Sequence, residues 1–136
     1  MIIEIPGDYR PSENEQYMNN RQIEYFRLKL LRWREQLIED SQKTLQRLKE
    51  EDLGIIESVD RGVLEFDTAF ELRTRDRYRK LLVKIDKALG RIGDGTYGYC
   101  EDTEEEIGIR RLEARPIATL SIEAQEQHER DEKKWA

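Results

Sequence analysis

Residues 71–100, ELRTRDRYRKLLVKIDKALGRIGDGTYGYC, decide how this chain folds. Tyr78, Leu82, Ile85, Leu89 and Ile92 follow one another at intervals of 4, 3, 4 and 3. That is the apolar seam of a helix that packs along a partner helix. Gly93, Gly95 and Gly98 then punctuate the pattern and end it. Upstream, Ile23, Phe26, Leu30, Trp33 and Leu37 repeat the rhythm at 3, 4, 3 and 4. Asp40, Ser41 and Thr44 weaken this first seam before Leu45 and Leu48 resume it. Between the two stretches, 52–60 (DLGIIESVD) carries Gly54 and the capping types Ser58 and Asp60, which predict a break. Two helices of similar length, one to about Glu51 and one from about Arg61 to Ile92, predict an antiparallel coiled-coil hairpin. Each arm would be roughly 45–55 Å long at the helical rise.

The composition suits that architecture. Among 136 residues, 40% are charged and 37% hydrophobic, too polar for a thick globular core but right for long helices burying one stripe. A net charge of −6 argues against a direct, general DNA-binding protein, which needs excess clustered Lys and Arg. A single cysteine excludes an internal disulfide framework and fits a reducing compartment. No run of about 18 apolar residues offers a membrane span. The start, MIIEIPGDYRP, lacks the basic and apolar regions of a signal peptide, so the expected location is the cytoplasm.

At the flanks, residues 1–20 read as an irregular arm leading into a helix start. Ser12 and Glu15 have the spacing of a capping box. The expected organisation is 1–20 as this arm, 21–93 as the hairpin with its tip near 52–62, and 94–136 as a small terminal module. In that module, 98–100 and 107–109 read as two short strands around a turn. Ser121 reads as the cap of a final helix, with Glu123 in its first turn.

The segment 97–125, YGYCEDTEEEIGIRRLEARPIATLSIEAQ, has the turns of a small zinc-binding module. A four-cysteine module would place C-x-x-C on both sides of its loop. Cys100 is present, but Thr103 stands at the second position and Ser121 and Ala124 where the second pair would fall. One thiolate of four remains, so a zinc-ribbon-like shape without metal is expected. Leu112, Ile117, Leu120 and Ile122 would anchor it, with ion pairs among Arg110, Arg111, Glu113, Arg115 and Glu104–Glu106. A lone thiol has no resolving partner, so Cys100 reads as structural. His128 sits in a charged helix and reads as solvated. GDGTYG follows a helix rather than a strand, which makes it a linker and not a phosphate loop.

The run ELR-x-RDR-x-RKL followed by YGYCE, IGIRRLEARP and a terminal helix resembles the DksA/TraR family of bacterial transcription factors. That resemblance implies a protein without enzymatic activity that binds RNA polymerase. The hairpin would enter the polymerase secondary channel and destabilise promoter open complexes together with the alarmone ppGpp. The family's zinc ligands fall on Cys100, Thr103, Ser121 and Ala124, so zinc is not carried over; a cysteine-poor subset of the family exists, and LSIEAQ is similar to it.

Two groups of residues then carry function. Arg73, Arg77, Lys80 and Lys84 recur along one face of the second helix. Read from the residues alone, they either pair with Glu71 and Asp76 or form an anion-binding stripe. The resemblance implies a ppGpp and polymerase site at Arg77, Lys80, Leu81, Lys84 and Arg115, with neutral Gln125 at its last basic position. At the tip, the resemblance aligns Glu57, Asp60 and Gly62 with residues that act on the polymerase. From the residues alone, Glu57 and Asp60 could equally cap a helix, or hold a metal ion as in a Gre-like transcript cleavage factor. A generic coiled-coil adaptor also fits the spacing.

Overall fold

The computed structural model describes residues 3–56 and 61–135, without the side chains of 52–56 and 61–68. Four helices follow in order: α1 (Asn20–Ile56), α2 (Arg61–Asp94), α3 (Ile109–Ala114) and α4 (Ile122–Trp135). The chain divides into two compact units, Leu31–Ile85 and Met1–Leu30 with Asp86–Ala136. As the two seams require, α1 and α2 are the arms of a helical hairpin.

The start of α1 differs from the sequence reading. Ser12 and Glu15 do pair, with the Ser12 N–H donating to Glu15 Oε2 at 2.9 Å, but they close only a single turn. Met18 adopts a φ of 51°, in the left-handed region, and a helix cannot run through it. The actual cap is Asn19, whose Oδ1 accepts from the Gln22 N–H at 3.0 Å. Gln22 answers by accepting from the Met18 N–H at 2.7 Å and donating to the Ser12 carbonyl at 3.1 Å. This amide is wholly buried, and its bonds satisfy both ends of it. At the other end α1 runs on through Gly54 to Ile56 instead of stopping near Glu51. One glycine in a helix costs only about 1 kcal/mol.

In the Leu31–Ile85 unit, Leu37, Leu48 and Ile85 are buried, as the seam predicts. The polar interruption of that seam is matched across the pair. Thr44 Oγ1 and the Tyr78 hydroxyl share a hydrogen bond of 3.2 Å.

In the other unit, Phe26 and Leu30 from α1 and Ala88 from α2 meet Tyr97, Leu112, Ile117 and Ala118 in one core. The Phe26 ring lies 5.8 Å from that of Tyr97, and the Tyr97 hydroxyl donates to the Pro116 carbonyl at 2.8 Å. The strands expected at 98–100 and 107–109 do not form. Among the described residues this region holds one isolated antiparallel bridge, Tyr99 to Glu106. Cys100 N–H donates to the Glu105 carbonyl and Ile107 N–H to the Gly98 carbonyl, both at 2.8 Å. Glu104 turns the chain with a φ of 63°. Gly108, with a φ of 102°, then diverts it into α3, so Ile109 becomes the first residue of a helix. Gly98 is needed as glycine: its φ is 92°, and a Cβ there would lie 2.9 Å from Met18 Sδ.

Ser121 caps α4 as expected, its Oγ accepting from the Ala124 N–H at 3.2 Å. Ile122, expected as an apolar anchor, is instead 52% exposed. Leu112 and Ile117 supply the burial.

Candidate effector groove and the degenerate metal module

On α2 the cations divide into two sets. Arg75 pairs with Glu71 at 2.8 Å, Arg79 with Asp76 at 2.6 Å and Lys80 with Asp76 at 2.9 Å. These bonds hold the Asp76 carboxyl below the ordinary carboxylate range, the Lys80 bond contributing most and the Arg79 bond next. Arg73, Arg77 and Lys84 are exposed and make no ion pair among the described residues. Arg73, Asp76, Arg77, Lys80, Leu81 and Lys84 together line an open groove of about 430 Å³. From Arg73 to Lys84 the groove follows α2 for roughly 16 Å. A second groove of about 500 Å³ continues from it, sharing Arg73, Arg77 and Leu81 and adding Phe70 and Tyr78. Arginine offers a planar fork to an anion and lysine a point charge, so an open face bearing both without counter-ions is suited to a phosphorylated ligand. The two readings of the stripe therefore divide by residue: Lys80 is paired, while Arg77 and Lys84 have no ion-pair partner among the described residues.

Arg115 belongs to the other unit and is exposed at the end of α3. Its N–H donates to the Arg111 carbonyl at 2.7 Å, and its carbonyl accepts from the Ala118 N–H at 3.0 Å. Two residues earlier, Glu113 fastens α3 to α1. Lys29 Nζ lies 2.7 Å from Glu113 Oε2 and 2.8 Å from its carbonyl, and the Tyr25 hydroxyl donates to the same Oε2 at 3.1 Å. The ion pairs expected between this arginine-rich turn and Glu104–Glu106 are replaced by this latch and by Arg111, whose Nε donates to the Leu120 carbonyl at 2.8 Å. The latch was not visible in local spacing, because Lys29 and Glu113 are 84 positions apart.

Cys100 is buried, and Thr103 and Ser121 gather around it. Burial alone would push the thiol up. The Thr103 hydroxyl and the N–H groups of Ser121, Thr103 and Asp102 donate to it and bring it down to about 7. Ala124 is buried beside this cluster and offers no donor atom to a metal. His128, expected to be solvated, meets Asp102 at 2.5 Å. That hydrogen bond holds its imidazole above the ordinary range. Of the tip residues, Glu57 and Asp60 lie outside the described residues. Gly62 lies in the first turn of α2.

The described chain is thus a helical hairpin with an exposed cationic groove on α2, followed by a small module that holds α3 and α4. Residues 22–92 match the family described as DnaK suppressor protein DksA, N-terminal domain, and residues 95–130 match the prokaryotic dksA/traR C4-type zinc finger. The chain belongs to the DksA/TraR family. It is 57% identical over 127 residues to the RNA polymerase-binding transcription factor DksA of Caulobacter vibrioides, covering 93% of this chain and 89% of that one. The Escherichia coli K12 protein of the same name is 43% identical over 137 residues, covering 99% and 91%. The structure of transcription factor DksA2 from Pseudomonas aeruginosa superposes with a TM-score of 0.71 at 40% identity, over 86% of this chain and 90% of that one.

The family match implies a zinc held by four cysteines, and this donor set does not fit it. A hydroxyl at Thr103, another at Ser121 and a methyl at Ala124 leave one thiolate. Among the described residues, no group of three or more His, Cys, Asp or Glu is placed to hold a metal. Among the described residues, too, no helix is long and apolar enough to cross a membrane.

Proposed function

We propose that this chain is a cytoplasmic transcription regulator that binds RNA polymerase, enters its secondary channel with the hairpin, and changes open-complex stability together with ppGpp. It has no catalytic activity of its own and reads no DNA sequence. The observation that carries this reading is the set of cations Arg73, Arg77 and Lys84, unpaired among the described residues, on one open face of α2. Elsewhere on the same helix Arg75 and Arg79 are paired at i−4 and i−3. Cations left free beside Leu81 are available to a phosphorylated effector and to polymerase. The resemblance assigns Arg77, Lys80, Leu81, Lys84 and Arg115 to the effector and Glu57, Asp60 and Gly62 to the tip.

The test is transcription from a ribosomal promoter with and without ppGpp. Repression that deepens with ppGpp, and pull-down of core polymerase competed by a cleavage factor, are the expected results. Rescue of backtracked complexes by this protein would instead identify a cleavage factor. Loss of polymerase capture altogether would leave a coiled-coil adaptor. Asp60→Asn should abolish the transcriptional effect while polymerase binding persists; repression by that variant would sink the tip assignment.

A further inference from the structure

In a four-cysteine finger the metal joins two short segments, here the knuckle 100–103 and the helix start 121–124. Three of those four positions have lost their sulfur, yet the two segments still meet. The Glu101 N–H donates to the Thr119 carbonyl at 2.9 Å, and the Ser121 N–H donates to Cys100 Sγ. These contacts fasten the loop before α4 and its first turn. They do not reach further along the helix, where apolar packing is scarce: Ala124 is its one buried residue and Ile122 faces solvent.

Ser121, Ala124 and His128 lie at i, i+3 and i+7, on one face of α4. His128 thus extends the face of the former ligand positions by one turn. Its partner Asp102 lies inside the knuckle, between Cys100 and Thr103. We infer that the Asp102–His128 pair is the cross-link that replaces the metal in this chain, holding α4 against the knuckle one turn beyond the lost ligand pair. A metal would bind both segments at their ends; this pair binds one at its centre and the other at its second turn. The replacement costs no buried charge, since both side chains remain about half exposed.

The intact protein tests this by amide hydrogen exchange along α4. Asp102→Asn and His128→Gln should each speed exchange in the second half of α4 about two- to fivefold, the size an exposed ion pair supports. The double variant should be no faster than either single one, and 1 M salt should bring the wild type to the same rate. Zinc and a strong chelator should leave all the rates unchanged. Because both side chains are exposed, the variants keep the hairpin, which circular dichroism verifies. Unchanged exchange in both single variants would overturn the inference. So would additive effects in the double variant, or a wild-type α4 that loosens when zinc is stripped from it.

Discussion

Asp76 Oδ2 stands 2.9 Å from Lys80 Nζ, so one cation of the groove enters any complex already carrying a counter-ion. Its neighbours Arg77 and Lys84 carry none among the described residues. The groove is therefore weaker toward an anion than its count of basic residues suggests, and Asp76 is the residue that makes it so.

Asp76→Asn should release Lys80 and Arg79 together. The ppGpp concentration for half-maximal effect in transcription should fall about two- to fivefold, in keeping with the modest worth of exposed ion pairs. A rise would show that Asp76 orders the groove rather than competing in it.

Arg77→Ala and Lys84→Ala should each raise the ppGpp requirement about tenfold, since a charge-assisted bond contributes about 1.5–3 kcal/mol. Thermal unfolding should barely move, because neither side chain has a partner within the described residues. Arg79→Ala, which removes a paired cation, serves as the control and should have little effect. Gln125→Lys, by adding a cation to the terminal helix, should sharpen the response; an identical response would remove that position from the effector site.

Lys29→Met and Glu113→Gln probe the latch between α1 and α3. Each removes a half-buried ion pair that also carries a tyrosine and a backbone bond, so a loss of about 1–2 kcal/mol in denaturant unfolding is expected. The loss should be shared: the double variant should be barely worse than either single one. Additive losses would mean that the two residues act separately.

The N-terminal arm should respond to acid. The Ser12 N–H and the Tyr9 hydroxyl donate to Glu15, together with Gln22 and the Ser12 hydroxyl, and hold its carboxyl below 4.5. A carboxyl lowered in the fold stabilises it above the unfolded value and ceases to do so as pH falls through the folded one. The same contact pushes the Tyr9 phenol up to about 12, burial contributing most. Amide hydrogen exchange across residues 9–16, corrected for its intrinsic pH dependence, should therefore be slow at neutral pH and accelerate well below pH 4.5. Glu15→Gln should lose this acid dependence; an unchanged profile in the variant would refute the assignment.

The hairpin was legible because a 3–4 apolar rhythm can mean little else over such lengths, and Phe26, Leu30, Leu37 and Ile85 are buried where that rhythm puts them. The true start of α1 was also written in the chain, as Asn19 and Gln22 three residues apart, but Ser12 and Glu15 carry the same signal nearer the prolines. Only the left-handed turn at Met18 decides between them. The module was misread in two ways. Strand propensity in IGI lost to the turn at Gly108, and charge spacing suggested local ion pairs where the partners lie on α1. The groove was legible as a stripe of cations. Which of them stay unpaired depends on rotamers around Asp76, which sequence alone does not state.

Tyr17 reaches across the base of the hairpin, donating to the Gly98 carbonyl at 2.6 Å and accepting from the Gly108 N–H at 3.0 Å. Its two partners lie 81 and 91 positions downstream. During synthesis the helices can pair as soon as both have left the ribosome, but this hydroxyl must wait for Gly98 and Gly108. Closing so long a loop comes late in folding, after the nearer contacts have formed. A nascent chain stalled before Gly98 would thus display paired helices with the Tyr17 hydroxyl still without its partners. The arm around Tyr17 acts as a completion mark, set only when the C-terminal module has arrived.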